Sequence, residues 1–236
     1  MNTILQQLQQ VHDRIAAAAI TCERDIATVQ LLAVSKTKPD AAIIAAYEAG
    51  QRLFGENYVQ EAIDKIQALR DSYPDIIWHL IGPLQSNKTK IVAEHFDWVQ
   101  TLDRLKTAER LSAQRPAAMA PLNVCLQVNI SREPNKSGLL PEDVLALAEE
   151  IAQLPRLCLR GLMAIPEATD DEEKLKAQLL ELQQLFDTMA QIYPRLDTLS
   201  VGMSNDLELA VACGSTLVRV GTAIFGSRNL ALETGE

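Results

Sequence analysis

The stretch QLLAVSKTKPDAAIIAAYEAG, residues 30–50, joins a short aliphatic run to a helical pattern, and it decides the fold class. The aliphatic run is typical of a buried strand, while Pro39 and Gly50 mark the beginning and the end of the helix that follows. A connection of this length is too long for a hairpin and suits the crossover helix of a parallel sheet. The stretch therefore predicts one strand–helix unit, with Lys36 where the strand ends.

Similar units recur along nearly the whole chain. Short aliphatic or β-branched runs alternate with longer helical patterns. The predicted strands begin near Gln30, Arg52, Ile77, Trp98, Asn123, Leu157, Thr198 and Leu217. Eight such units in one domain predict an α/β fold of the closed (β/α)8 class, a TIM barrel, whose last strand is LVRVGTAIFG, residues 217–226.

A doubly wound parallel sheet is the alternative fold. Proteins of that class usually hold nucleotides with glycine-rich loops such as GxGxxG or GxxxxGK[ST]. Neither motif occurs in this sequence. The absence of both motifs favours the barrel over the open sheet.

The two ends of the chain add to the predicted barrel. Residues 1–20 predict an extra amphipathic helix, because Ile4, Leu8, Val11 and Ile15 fall on one stripe. The last ten residues, 227–236, are predicted to form a flexible tail. Neither a linker nor a low-complexity segment interrupts the sequence, so residues 1–236 are predicted to form a single domain.

Charge and composition exclude several classes of partner. The net charge is −9, from 22 basic and 31 acidic residues, which disfavours nucleic acid and anionic membranes as partners. Glutamines stand where a signal peptide would be basic, and no apolar run reaches the roughly 18 residues of a membrane span, so a cytoplasmic protein is predicted. Four dispersed cysteines predict reduced thiols, and three histidines without ligand spacing predict no metal site.

In such a barrel, the residues that bind or react project from the carboxyl ends of the strands. Here these ends carry Lys36 and Asn57, with His79 in the third strand. Lysine is usually left in water, so the simplest interpretation is that Lys36 solvates a strand end. The alternative is that Lys36 presents an amine that attacks a carbonyl group.

The loops after strands seven and eight are the expected place for a phosphate group. The first loop contains Met203 and Ser204, and the second contains Gly221 and Thr222. Small residues let backbone N–H groups approach an anion, and the two hydroxyls add donors. The alternative is that Ser204 caps a helix and that the glycines only allow close packing; Asp206 favours this alternative unless its side chain faces away.

An amine at strand one, opposite a phosphate site, is the combination that pyridoxal 5′-phosphate (PLP) requires. Arg219, inside strand eight, could then face the ring nitrogen. An arginine there would keep this nitrogen unprotonated and the ring a weak electron sink. The alternative for Arg219 is an ion pair with an acid such as Glu56.

Six segments, taken together and in order, resemble the PLP homeostasis protein family, the YggS/PROSC group. They are AVSKTKP (33–39), FGENYVQEA (54–62), WHLIGPLQSNK (78–88), VNISREPNKSG (128–138), GLMAIP (161–166) and LSVGMSNDLELAVACGSTLVRVGTAIFG (199–226). The resemblance implies a barrel like the N-terminal domain of alanine racemase, which is fold type III among PLP proteins.

The resemblance also implies roles for individual residues. It implies a covalent imine between PLP and Lys36. It implies Arg219 at the ring nitrogen, Asn57 near the ring and His79 in the barrel beneath the cofactor. The residues that it implies at the phosphate lie in the last two loops and are Ser204, Gly221 and Thr222; Met203, beside Ser204, is also expected to bind the cofactor.

Members of this family are thought to bind and deliver or buffer PLP in vitamin B6 and amino-acid or keto-acid homeostasis, and they are not established enzymes. A non-catalytic carrier is therefore expected, with PLP-dependent apoenzymes as candidate recipients. A monomer is expected because the related racemase completes its dimer site with a further domain. The alternatives are a PLP-dependent amino-acid racemase of low activity, with Tyr58 as its second base, and a regulatory scaffold that leaves no mark in the sequence.

Overall fold

The computed structural model of the chain describes residues 3–226, and the eight strands in this range form a closed, all-parallel barrel in sequence order. The strands are β1 (Gln30–Val34), β2 (Leu53–Glu56), β3 (Ile77–Leu80), β4 (Trp98–Leu102), β5 (Leu122–Val128), β6 (Leu157–Ala164), β7 (Thr198–Ser200) and β8 (Leu217–Val220). β1 pairs with both β2 and β8, which closes the sheet. The predicted barrel is confirmed, and the open-sheet alternative is wrong.

A helix follows each strand, and one further helix precedes the barrel. Within the described range the helices are α1 (Ile4–Thr21), α2 (Asp40–Glu48), α3 (Val59–Leu69), α4 (Thr89–His95), α5 (Leu105–Gln114), α6 (Val144–Ala152), α7 (Glu172–Ile192), α8 (Leu207–Ala212) and α9 (Thr222–Phe225). α2 shows why the sequence divides where it does. Pro39 occupies its N-cap position, and Gly50 adopts a φ of 100°, which glycine tolerates better than any other residue.

The last strand is shorter than predicted. β8 ends at Val220, and residues 222–225 form α9 instead of continuing to Gly226. Val220 pairs with Ala33 near the end of β1, so the ladder on that side has no partner for a longer strand. The early end of β8 leaves Gly221 and Thr222 in the loop at the barrel mouth.

The added N-terminal helix packs on the outside of the barrel, against α2, α8 and α9. Thr3 and Gln6 form a reciprocal capping box at its start, and Leu8, Val11 and Ile15 are buried. None of the helices in residues 3–226 is both long and apolar enough to cross a bilayer. The predicted flexible tail, residues 227–236, lies outside the described residues, and the single domain over residues 1–236 stays a prediction.

The centre of the barrel contains polar side chains as well as apolar ones. Buried polar residues come from five strands: Glu56 on β2, His79 on β3, Gln100 on β4, Ser200 on β7 and Arg219 on β8. A buried polar group is costly unless it is hydrogen-bonded. The hydrogen bonds of these residues therefore determine how the floor of the mouth is built.

Candidate functional site

A cavity of about 690 Å³ opens at the carboxyl end of the barrel, which is where catalytic and binding residues of this fold class lie. Seven of the eight predicted site residues line it: Lys36, Asn57, Met203, Ser204, Arg219, Gly221 and Thr222. The eighth, His79, is fully buried and does not reach the cavity. The structure thus brings together residues from β1, β2, β7 and β8, whereas their roles remain predictions.

Lys36 lies two residues beyond the end of β1 and contributes to the cavity wall. Its amine forms neither a hydrogen bond nor an ion pair with any group in residues 3–226. The neighbouring Lys38 differs, because its Nζ donates to the carbonyl oxygens of Phe225 and Gly226 at 3.0 and 2.9 Å. Lys36 is therefore the amine that this loop presents to the cavity.

The loops after β7 and β8 form the wall around Ser204 and Thr222. Neither hydroxyl hydrogen-bonds to a protein group in the described range. Gly221 packs tightly on β1, since a Cβ atom there would lie 3.1 Å from the carbonyl oxygen of Val34. The wall therefore places two hydroxyl donors, both unpaired within residues 3–226, beside a glycine that packs closely on β1.

The alternative in which Ser204 caps a helix is wrong. The N-cap residue of α8 is Asp206, and its side chain makes no capping bond. Oδ1 of Asp206 instead accepts a 2.6 Å hydrogen bond from the backbone N–H of Met203. The carboxylate is therefore engaged by its own turn, and the hydroxyl of Ser204 is not needed to begin the helix.

Arg14 is a cavity residue that the sequence analysis missed. It extends from α1, and its Nη2 donates to the carbonyl oxygen of Ser204 at 2.9 Å. The same guanidinium contacts both carboxylate oxygens of Glu208 at 2.7 and 2.8 Å, which raises the pKa of Arg14. Its position beside the apolar stripe, three residues after Val11, was the available signal, because side chains three apart share a helix face.

Arg219 lies on the floor of the cavity and is buried. Nη1 donates to the carbonyl oxygen and to Oγ of Ser200 at 2.7 and 2.8 Å, and Nη2 donates to the carbonyl oxygen of Ala164 at 2.9 Å. Burial lowers its pKa to about 10. The predicted alternative, an ion pair with Glu56, is wrong because that carboxylate binds Lys65.

Hydrogen bonds continue from Arg219 across the barrel to His79. Oγ of Ser200 donates to Oε1 of Gln100 at 2.6 Å, and Nε2 of Gln100 lies 2.8 Å from Nδ1 of His79. Since the amide nitrogen can only donate, Nδ1 accepts and the proton of His79 is assigned to Nε2. Nε2 has no hydrogen-bond partner among residues 3–226, and the ring stacks on Trp98 with the ring centroids 4.9 Å apart. Burial lowers the pKa of His79 to about 3. His79 is therefore neutral and supports the floor from below.

Asn57 reaches the cavity wall because a glycine lies behind it. A Cβ atom at Gly82 would lie 2.1 Å from the carbonyl oxygen of Asn57, so no larger residue fits there. Oδ1 of Asn57 is buried without a hydrogen-bond partner. Beyond Asn57 and Ile81 the mouth continues into a second cavity of about 330 Å³, which Lys136 borders.

The described residues offer little to a metal ion or to disulfide chemistry. Within residues 3–226, no three histidine, cysteine or acidic side chains come close enough together to hold a metal. All four cysteines are unbridged, and Cys125 and Cys213 are buried. The mouth offers an amine, two guanidinium groups, hydroxyls and amides.

The barrel, the lysine at the end of β1 and the loops after β7 and β8 define a class of protein. Comparison with known sequences identifies this class. A family model described as alanine racemase, N-terminal domain, matches residues 7–229. A curated relative from Haemophilus influenzae, named pyridoxal phosphate homeostasis protein, is 54% identical over 228 residues, which make up 96% of either chain. The chain belongs to the pyridoxal phosphate homeostasis protein family, as its sequence motifs indicated.

Solved structures agree with this assignment. A protein of unknown function from Bifidobacterium adolescentis is 37% identical, with a TM-score of 0.89 over 94% of each chain. PipY from Synechococcus elongatus, in a structure with PLP bound, is 41% identical, with a TM-score of 0.78 over 92% of this chain and 100% of PipY. At these identities, the likeness extends to the family as well as the fold.

Proposed function

We propose that this protein holds PLP in the mouth cavity as a Schiff base to Lys36 and takes part in intracellular homeostasis of PLP, amino acids and keto acids. The observation that carries the proposal is the unpaired amine of Lys36 in a cavity whose other walls present two unpaired hydroxyls and a buried guanidinium. The cavity volume lies within the range of about 300–1,000 Å³ that small-molecule sites occupy. PLP-bound PipY and the name of the curated relatives support the choice of ligand.

The chemistry that PLP supplies is an aldehyde that condenses with amines. In the condensation, the nitrogen of Lys36 forms a bond to the aldehyde carbon, and the aldehyde oxygen leaves as water with both amine protons. Lys36 suits this step because no carboxylate in residues 3–226 lies within ion-pair distance of its amine. Lys38 is less suited, since its Nζ already donates to two carbonyl groups.

The phosphate group is proposed to lie between the loops after β7 and β8. Ser204 and Thr222 would each donate from an unpaired hydroxyl, and Gly221 lines the same cavity without a side chain. Arg14 adds a positive charge to this side of the cavity. The carboxylate of Asp206 accepts a hydrogen bond from the backbone N–H of Met203 and is engaged within its own turn.

Arg219 is proposed to face the ring nitrogen from the floor, with Met203 and Asn57 against the ring. Even with its pKa lowered to about 10, the guanidinium stays protonated near neutral pH and can only donate. A guanidinium that donates a hydrogen bond but keeps its proton leaves the ring nitrogen unprotonated. This arrangement favours holding the cofactor over stabilising a carbanion.

A carrier is proposed rather than an amino-acid racemase, and the curated relatives are named as homeostasis proteins. Racemisation by two bases needs a second proton acceptor opposite Lys36. Tyr58, the candidate for that role, is 50% exposed at the start of α3 and does not line the cavity. The proposal includes the predicted cytoplasmic location, a monomeric state and PLP-dependent apoenzymes as recipients of the cofactor.

Trapping the adduct tests the proposal. Purified wild type, Lys36→Ala and the surface control Lys106→Ala would be mixed with PLP, treated with borohydride and digested for mass spectrometry. We expect a visible absorption band and a reduced adduct on Lys36 in the wild type and the control, and neither in Lys36→Ala. A reduced adduct on another lysine in the wild type would overturn Lys36 as the anchor.

A further inference from the structure

A buried ion cluster lies directly behind the loop that carries Lys36. Lys65 of α3 is 5% exposed, and its ammonium donates three short hydrogen bonds. The acceptors are Oε1 of Glu56 at 2.8 Å, Oε1 of Glu61 at 2.6 Å and the carbonyl oxygen of Ser35 at 2.8 Å. Since an ammonium has three N–H groups, Lys65 is fully used by β2, α3 and the Lys36 loop.

The cluster holds the residue on each side of Lys36. Before it, Ser35 accepts from Lys65 through its carbonyl oxygen and donates from Oγ to Glu56 at 2.6 Å. After it, the backbone N–H of Thr37 donates to Oε1 of Glu61 at 2.6 Å. The backbone of Lys36 is therefore attached at both ends to one charged cluster.

The backbone of Thr37, which belongs to this attachment, adopts a strained conformation. Its φ is +61°, in the left-handed region that β-branched residues rarely adopt. Such a conformation persists only where surrounding contacts impose it. Two contacts act on this turn: the backbone N–H of Thr37 donates to Glu61, and the backbone N–H of Lys38 donates to the carbonyl oxygen of Ser35 at 3.1 Å.

We propose that Lys65 and Glu61 are positioning residues for Lys36: they fix the backbone of its loop so that the amine is presented to the mouth cavity for capture of an aldehyde. The proposal rests on the proposed Schiff base at Lys36. A lysine side chain has four rotatable bonds, so the position of its backbone sets the region that the amine can reach. Correct placement of reacting groups contributes strongly to rate, and errors of about 1 Å cost orders of magnitude.

A purely structural role for the cluster makes a different prediction. If Lys65 and Glu61 only stabilised the barrel, their loss would weaken every ligand of the mouth in parallel, or none. If they position Lys36, their loss slows the reaction with an aldehyde but leaves the phosphate and ring contacts intact. Pyridoxine 5′-phosphate separates the two cases, because it carries an alcohol in place of the aldehyde and cannot react with the amine.

The test compares wild type, Glu61→Ala, Glu61→Gln and the exposed-helix control Glu109→Ala. Stopped-flow absorbance gives the rate of reaction with PLP, and calorimetry gives the Kd of pyridoxine 5′-phosphate. We expect Glu61→Ala to lower the rate about tenfold or more with less than about a twofold change in Kd. Glutamine keeps an oxygen for the N–H of Thr37, so Glu61→Gln should recover most of the rate, and Glu109→Ala should match the wild type.

Equal losses for both ligands, or no loss for either, would overturn the positioning role. Failure of wild type to react with PLP would instead contradict the proposed function. Where Glu61→Ala does not fold, the double variant Glu56→Gln/Lys65→Met takes its place, because it removes both buried charges and leaves neither uncompensated. The same divergence between rate and Kd is then expected.

Discussion

Nη1 of Arg219 lies 2.8 Å from Oγ of Ser200, and this contact joins the floor of the mouth to a hydrogen-bonded chain that crosses the barrel. The chain passes through Gln100 and ends on His79 of β3, on the side opposite β7. In each hydrogen bond of the chain the donor lies nearer to Arg219 than the acceptor does, so all three bonds point from Arg219 towards His79. A charged group in the cavity is thereby supported by neutral side chains, with no carboxylate in residues 3–226 within ion-pair distance of Arg219.

The chain predicts a pH dependence of stability that originates at His79. Its pKa falls from 6.5 to about 3 on folding, so the unfolded chain binds a proton that the folded one does not. The contribution of neutral His79 to the free energy of unfolding should therefore be fully present well above pH 6.5 and be lost progressively as the pH falls below that value. Between pH 6.5 and 5 the loss should reach about 1.6 kcal/mol, because the slope is about half of 1.4 kcal/mol per pH unit at pH 6.5, where the unfolded histidine is half protonated, and approaches the full value below it.

Urea unfolding of wild type and His79→Gln over this pH range measures the effect. Glutamine retains an acceptor for Gln100 but does not titrate, so the difference in unfolding free energy should change with pH in favour of the variant. Parallel pH curves for the two proteins would mean that His79 takes up its proton equally in the folded and the unfolded state. The stacking of its ring on Trp98 would then need a different account.

The sequence was sufficient for the architecture because strand and helix periods are local signals. All eight strands begin within one residue of the predicted position, with β2 at Leu53 and β5 at Leu122 as the two small differences. The end of β8 was not predictable from its own residues. It depends on where its partner β1 ends, which only the closed barrel determines.

The contacts inside the mouth were less predictable than the list of residues that form it. Because Lys36 and Arg219 lie at or near strand ends, the sequence predicted that both would face the same cavity. It could not predict with which acid or hydroxyl each would form a hydrogen bond. Glu56 forms an ion pair with Lys65, only nine residues further along the chain, while Arg219 donates hydrogen bonds to Ser200 and to Ala164. These partners follow from which interior side chains face each other after the barrel closes.

The two hydroxyls at the proposed phosphate site give a second prediction. Ser204→Ala and Thr222→Ala should each remove one hydrogen bond to a charged group, worth about 1.5–3 kcal/mol. That corresponds to about a ten- to hundredfold loss of PLP affinity. Pyridoxal carries the same aldehyde without a phosphate, so its affinity should not change. Equal losses for both ligands would place the phosphate elsewhere, for example near Lys88 or Lys136.

Arg14 gives a third prediction, since it contributes charge to the cavity and holds the carbonyl group of Ser204. Arg14→Met should weaken PLP and spare pyridoxal, with little loss of stability, because partly exposed ion pairs contribute only about 0–1 kcal/mol. Glu208→Gln is the matched control, as it removes the ion pair and retains Arg14. If Glu208→Gln weakens PLP as much as Arg14→Met does, Arg14 acts by anchoring α8 and not through its own charge.

The last prediction concerns catalysis, and it depends on Tyr58 lying outside the cavity. With Lys36 as the base at the proposed ring position, the protein saturated with PLP should show no alanine racemase turnover, because two-base racemisation needs a proton acceptor on the opposite face and Tyr58, the candidate for that role, does not line the cavity. A chiral assay for D-alanine formed from L-alanine, run with wild type and Tyr58→Phe, tests this directly. Tyr58 is half exposed at the start of α3, so the substitution should leave PLP binding and stability unchanged.

Turnover of about 1 s⁻¹, the low end of ordinary enzymes, that disappears in Tyr58→Phe would make the protein a racemase and Tyr58 its second base. Equal turnover in both proteins would still contradict the carrier, but it would place the second base elsewhere in the mouth.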